Sequence, residues 1–349
     1  MPQVTIKDIA RLAGVSVTTV SRALNHASEI RPETRDRVLK LCREKGYRTN
    51  LLARSLVSSR TNVLGLILPS IANPYYAAMA LNIEIYARSR GYQVMLSTGR
   101  PGDDRIEDLF EFLISQRVDG ILLANAGDAA HDLLWRYQST MPCVLLGSHA
   151  RDTSQLRLNA VSVDNYAGGC MAAEYLHSLG HRKVVYLGRR LGTASHTLRY
   201  KGFRNTAREL EMELRTIENP DPSSSVESGH RLGLELLSGP LPETAVFAAS
   251  DAMALGVLQA ADELGVEIPR QLSLMGFDNI EYAGLPGIQL TTLSQNVPIL
   301  ARSAVRLILD LVESQEQGIT TRKLVTPTLI QRATCRPLEA APPSGEDGD

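Results

Sequence analysis

Apolar positions along this chain follow first a helical repeat and later an alternation of strand-like and helix-like runs. Ile6, Ile9, Ala10 and Ala13 fall on one helical face, and Thr5 with Asp8 three places on is a capping-box start. The spacing predicts a helix over 6–13, a turn at Gly14, and a second helix capped by Ser16, with Val20 and Leu24 inward behind Val15. Val17, Thr18, Ser21 and Arg22 are then left facing outward. Pro32 and Gly46 bound a third helix whose inward side is Val38, Leu41 and Cys42. Residues 1–47 therefore read as a compact all-α three-helix head. In 48–60, the segment from Asn50 to Ser58 has modest helical propensity and is short, since isolated helices below roughly 12–15 residues are marginal in water. It reads as a hinge. An ordinary linker is the plainer alternative, against which stand Leu51, Leu52 and Leu56.

From about Thr61 the period changes. Val63 to Leu68, Tyr92 to Ser97, Gly120 to Ala124, Cys143 to Leu146, Lys183 to Leu187, Ala245 to Ala249 and Leu272 to Phe277 read as buried strands. Between them lie helical stretches: Ala77 to Arg90, Asp104 to Gln116, Ala167 to Leu179, Tyr200 to Leu210, Ser228 to Leu237 and Met253 to Leu264. Such alternation argues for an α/β region with parallel sheets covered by helices on both faces. Its length exceeds one comfortable core, so two lobes are expected. The pattern restarts near Val161 to Asn165 and returns near Thr291. The first lobe is accordingly expected at about 61–160 and 292–322, the second at about 161–291 and 323–338. The acidic, Pro-containing tail, 339–349, has no heptad pattern and reads as disordered.

Charge separates the two parts. Residues 1–60 hold twelve Lys and Arg against five Asp and Glu, or +7, while the rest of the chain carries −8. A basic head on an acidic body suggests that the head meets a polyanion. Arg31, Arg35 and Lys40 could line a solvated helix face, but beside a turn-linked helix pair phosphate contact is the better reading. Short side chains at the start of the second helix would let its backbone approach a major groove, and Arg22 could fork onto guanine.

Open parallel sheets bind ligands beyond the carboxyl ends of their strands. That rule picks out Ser70 to Tyr76, Gly147 to His149, Ser250 with Asp251, and Asp278 with Asn279. Each has a structural alternative: Asn73 as a cap before Pro74, Asp251 as a helix N-cap, Tyr75 and Tyr76 as interlobe packing.

The chain resembles the LacI family of bacterial transcription regulators. The strings that carry the likeness are VTIKDIARLAGVSVTTVSRALN, ARSL at Ala53 to Leu56, LGLILPSIANPYY, GHRKVVYLG, SDAMALGV, and MGFDN followed by LTTLSQN. The resemblance implies a periplasmic-binding-protein-like (type I) pair of lobes, a homodimer on a pseudo-palindromic operator, and a small effector, a sugar or sugar derivative, between the lobes. On the head it implies DNA contacts from Thr5, Ser16, Val17, Thr18, Ser21, Arg22 and Asn25, with Val17, Thr18 and Arg22 reading bases. On the hinge it implies Asn50, Ala53 and Leu56, with Leu56 wedged into a base step. Thr49 stands where the family often has Pro. In the cleft it implies Arg199 as the effector-gripping arginine, Asp278 as acceptor for ligand hydroxyls and Gln295 on a crossover, beside Asn73, Tyr75, Tyr76, Ser250 and Asp251. Ser250 replaces a frequent Asn. Induction is expected over corepression.

Other chemistry is thin. Cys42, Cys143, Cys170 and Cys335 are scattered, which fits buried thiols in a reducing cytoplasm. His177 and His181 flank Gly180, so a helix end is favoured over a zinc grip. No Walker A loop, GxGxxG turn or GxSxG elbow occurs, so neither a cofactor nor an enzyme is expected. The start of the chain lacks a signal peptide's apolar core and no run reaches spanning length, so a cytoplasmic, nucleoid-associated protein with no membrane partner is expected. The rivals are a regulator with a vestigial cleft answering to a protein corepressor and, less favoured, an exported solute-binding protein, which would not carry a basic head.

Overall fold

Burial decides which of these runs become structure. The computed structural model describes residues 4–24, 30–47, 60–99, 105–124, 128–147, 158–189, 194–220, 224–314 and 320–338. Asn25, Thr49, Asn50, Ala53, Leu56, the rest of the expected hinge up to residue 59, Ser148, His149 and the tail lie outside the described residues. The chain divides into two compact units, Met1–Thr61 and Asn62–Asp349.

The head holds α1 (Ile6–Ala13), α2 (Val17–Leu24) and α3 (Pro32–Glu44). The Thr5 hydroxyl accepts from the Asp8 N–H while the Asp8 carboxylate accepts from the Thr5 N–H at 3.0 Å, closing the capping box. Gly14 ends α1 at φ +64°, a left-handed conformation that glycine takes without steric penalty. Ile9, Ala10, Ala13, Val20, Ala23, Val38 and Cys42 form the buried core.

The first lobe is built from β1 (Val63–Leu68), α4 (Pro74–Ser89), β2 (Gln93–Thr98), α5 (Ile106–Ser115), β3 (Gly120–Ala124), α6 (Asp128–Tyr137), β4 (Cys143–Leu146) and β5 (Ala160–Val163), joined later by α11 (Val297–Glu313) and β11 (Arg322–Val325). Its sheet runs β11-β5-β4-β3-β1-β2, all parallel. Alternate residues of β1 serve opposite layers: Leu64, Leu66 and Leu68 join the cluster on the α4 side, while Ile67 joins Phe110 and Leu113 of α5. A strand buried on both faces needs apolar residues throughout, which is why it reads as an unbroken run.

The second lobe holds α7 (Asn165–Ser178), β6 (Lys183–Gly188), α8 (Ala194–Glu209), β7 (Glu213–Glu218), α9 (Val226–Leu237), β8 (Ala245–Ala248), α10 (Asp251–Leu264), β9 (Ser273–Asp278), β10 (Thr291–Ser294) and β12 (Thr328–Ile330). Its sheet order is β12-β10-β9-β8-β6-β7, parallel except where β12 pairs with β10. The chain thus changes lobe after β5, after β10 and after β11. This corrects the expected lobe limits. Ala160–Val163 pairs with β4 and β11, so the first crossing comes at Asp164 rather than Val161; Thr291–Ser294 stays with the second sheet, and Arg322–Val325 with the first. The shift has a simple cause: each lobe completes a strand before the chain leaves it.

Candidate functional site

The outward edge of the head is what its caps leave free. Ser16 is committed to α2, its hydroxyl accepting from the Thr19 N–H at 3.0 Å, and the Thr5 hydroxyl donates to Asp8 at 2.7 Å. Both serve helix starts. The hydrogen bonds from Thr5, with an ion pair to Arg11, hold the Asp8 carboxyl below the usual range. Val17, Thr18 and Arg22 are exposed and Ser21 is half-buried, so the first turns of α2 present a small-residue surface ending in an arginine.

The residues expected in the cleft come from strand ends and helix starts of both lobes. Asn73 caps α4, its Oδ1 accepting from the Tyr75 N–H at 3.0 Å. Tyr75 and Tyr76 stand edge to face, ring centroids 5.1 Å apart. Burial pushes the Tyr75 phenol well up; Tyr76 and Asp278 reinforce the shift and Arg199 opposes it. Tyr75 of the first lobe therefore lies within the field of two charged groups of the second.

Arg199 sits on α8 where α7 and α8 press backbone to backbone. A Cβ at Gly169 would lie 2.1 Å from the Arg199 carbonyl oxygen, and one at Gly202 2.1 Å from that of Tyr166. Only glycine permits this approach, and the approach places Arg199 inside. Its guanidinium carbon lies 3.4 Å from the Phe277 ring centroid, Nη2 donates to Asn165 Oδ1 at 2.8 Å, Nη1 donates to the Ala249 carbonyl, and Nε has no partner. At 3% exposure, burial pulls this group below its ordinary pKa while Asp278 pulls it back.

Asp278 ends β9 at φ +133° with Asn279 following at φ +56°, two sparsely populated conformations in succession. Neighbours hold them: Gln295 Nε2 donates to Asp278 Oδ1, and Arg332 Nη2 donates to Asn279 Oδ1 at 2.7 Å. Ser250 is the N-cap of α10, its hydroxyl accepting from the Met253 N–H at 3.2 Å, so the capping role belongs to Ser250 and not to Asp251. Asp251, wholly buried, accepts from the Thr292 hydroxyl through one oxygen and from the Ile280 N–H at 2.9 Å through the other. It braces the loop that carries Asp278.

The structure thus joins Asp278 to Gln295 by a hydrogen bond, sets Arg199 and Tyr75 within electrostatic reach of Asp278, uses Asp251 to brace its loop, and leaves Asn73 and Ser250 as helix caps. Sequence reasoning missed Asn165, Phe277 and His196. Asn165 was findable, since it follows β5 at its carboxyl end. His196, bonded to Ser224 at 3.3 Å, is pushed down to about 3 by burial and by Arg199 and Arg189, so its imidazole is neutral.

Burial pushes Asp278 up to about 7, Arg199 opposing and Asp251 reinforcing; burial likewise pushes Asp251 up to about 6 against its hydrogen bonds. An acid whose folded pKa exceeds its unfolded value of about 3.9 binds more protons folded than unfolded in between. Its stabilising contribution is full below that lower value and is lost as pH rises through 6 to 7. The unfolding free energy of the larger unit, read from urea titrations of the full-length protein, is expected to fall from pH 5 to pH 8 by on the order of a few kcal/mol, and Asp278→Asn to flatten the slope. An unchanged slope in the variant would show that other groups set it.

A model of bacterial regulatory proteins of the lacI family matches residues 5–50, and one of a periplasmic binding protein-like domain matches 173–335. The transcriptional regulator DegA of Bacillus subtilis is 32% identical over 339 residues, covering 96% of this chain and 98% of DegA. The chain belongs to the LacI family. As a LacI-family member it is a DNA-binding transcriptional regulator with an effector-binding domain, not an enzyme. The lac repressor dimer bound to operator and the anti-inducer ONPF superimposes with a TM-score of 0.85 at 26% identity, covering 96% of this chain and 100% of that one. The regulator CelR in complex with cellobiose gives a TM-score of 0.69 at 27% identity over 95% and 100%. No helix among the described residues is long and apolar enough to cross a membrane.

Proposed function

We propose that this LacI-family regulator is a cytoplasmic repressor that binds a pseudo-palindromic operator as a homodimer and is released by a small, polyhydroxylated ligand, a sugar or sugar derivative. The observation that carries the reading is the buried Arg199 with an unpartnered Nε, beside Asp278 and Gln295 and within the field of Tyr75. A guanidinium and a carboxyl beside aromatic rings offer donors and acceptors for hydroxyls and a face for a sugar's apolar side. The relatives support it: one solved structure holds cellobiose, another an operator. Ligand acts by differential affinity, favouring the lobe arrangement in which the two heads cannot both sit on DNA; a tenfold release needs about 1.4 kcal/mol of preference.

The test is fluorescence anisotropy on operator DNA taken from the flanking genes, titrated with a sugar panel. A fall in affinity of tenfold or more with one sugar is expected. A rise would overturn induction, and no change with any sugar would overturn the effector reading. Arg22 is assigned to base reading and Arg22→Ala is expected to cost about 1–3 kcal/mol on the operator, relaxing preference at one base pair per half-site. An equal loss on scrambled duplex would reduce Arg22 to a phosphate contact.

A further inference from the structure

The three interlobe crossings are laced together. The Asp164 N–H donates to the Val325 carbonyl at 3.0 Å, joining the first crossing to the third. Asn296, held in the left-handed region at φ +50°, donates through Nδ2 to the Thr326 carbonyl at 2.8 Å and the Thr328 hydroxyl at 3.0 Å, joining the second to the third. Each charged group of the cleft is tied to this belt by a neutral carboxamide. Gln295, one residue before Asn296, donates to Asp278. Asn165, one residue after Asp164, accepts from Arg199 at 2.8 Å and donates through Nδ2 to the Val163 carbonyl of β5 at 3.1 Å. Asn165 is buried at 3% exposure, so water does not readily replace either bond.

We propose that Asn165 is the positioning residue that couples Arg199 to the crossings between the lobes. Its Oδ1 and Nδ2 are opposite ends of one rigid amide, one held on the second lobe's arginine and the other on the first lobe's last strand before the crossing. Arg199 cannot turn its Nη2 toward a ligand without loosening Asn165, and Asn165 cannot loosen without straining its bond to the Val163 carbonyl, next to the Asp164–Val325 bond. A neutral amide suits the post because it holds the guanidinium without a second buried negative charge beside Asp278 and Asp251. Spatial continuity alone does not establish coupling, so the test is a double-mutant cycle. The assignment of Arg199 to the effector rests on the function proposed above; the cycle is read without ligand, so its failure is distinct from the failure of that proposal.

Hydrogen–deuterium exchange of the full-length protein is compared for wild type, Asn165→Ala, Arg199→Met and the double variant. Each single change is expected to raise exchange at peptides spanning 160–168, 292–298 and 324–330 roughly tenfold, about the loss of one buried hydrogen bond. The double variant is expected to rise no further than either single. Additive rises, no rise in Asn165→Ala, or a rise spread evenly over the second lobe would overturn the proposal. Asn165→Asp serves where the alanine variant does not fold: it keeps the acceptor for Arg199, removes the donor to Val163 and adds a negative charge, so the rise is expected at 160–168 and at 324–330, which the Asp164–Val325 bond joins, and not at 292–298. A change at all three segments or at none would count against the coupling.

Discussion

Asp278→Ala is expected to leave operator binding in the absence of ligand within about twofold of wild type and to weaken effector binding by at least ~100-fold, since hydrogen bonds to charged groups contribute about 1.5–3 kcal/mol each. The carboxyl lies at the carboxyl end of β9, in a backbone conformation that its neighbours maintain, and the head folds on a core of its own. Removing it has opposed effects on the second lobe: repulsion with Asp251 is relieved, and Arg199 loses its nearby counter-charge. Asp278→Asn separates the two, keeping an acceptor for Gln295 without the charge. Operator anisotropy with and without the sugar found in the panel measures both effects. Loss of ligand-free operator binding in Asp278→Ala would make the residue a structural one.

Gly202→Val is expected to destabilise the second lobe by about 3 kcal/mol or more, because overpacking a tight contact costs 1–3 kcal/mol even where neighbours can yield. Here the neighbour is the Tyr166 backbone, its carbonyl oxygen 2.1 Å and its carbon 3.0 Å from the new Cβ. The helices must part, which carries Arg199 away from Phe277 and Asn165. Urea unfolding of Gly202→Val is compared with Gly239→Ala, where an added Cβ meets nothing within 4 Å. Equal midpoints for the two variants would show that α7 and α8 separate at little cost.

Much of the fold was legible because burial writes itself into composition. β1, β3 and β4 occupy the apolar runs expected of them, and α1 begins at its capping box. Less legible were elements that burial marks weakly. β7 is an edge strand whose sequence, ELRTIE, has only Ile217 buried, and three of the four residues of β11 are exposed. The lobe limits were displaced because a restarting pattern reveals a strand and not the sheet it joins; β5 belongs to the first sheet through pairing that no local signal encodes. In the cleft, the strand-end rule reached Asp278, and resemblance supplied Arg199 and Gln295. Neither could separate Asp251, which supports a loop, from Asp278, which ends a strained one: both are buried acids after apolar runs, and only their partners distinguish them. Asn165 and Phe277 acquire their meaning from the helix approach that Gly169 and Gly202 allow, a tertiary fact.

The late arrival of β11 bears on how the protein is made. Ribosomes deliver the first lobe's strands β1 to β5 early, yet the edge partner of β5 is residues 322–325, supplied only after the whole second sheet but β12 has been synthesised. Until then β5, whose four residues are all buried in the finished lobe, presents an unpaired apolar edge on the nascent chain, an invitation to wrong partners. Premature termination anywhere before residue 322 would therefore leave the amino-terminal lobe unfinished as well, and translation tempo and chaperone supply become determinants of yield.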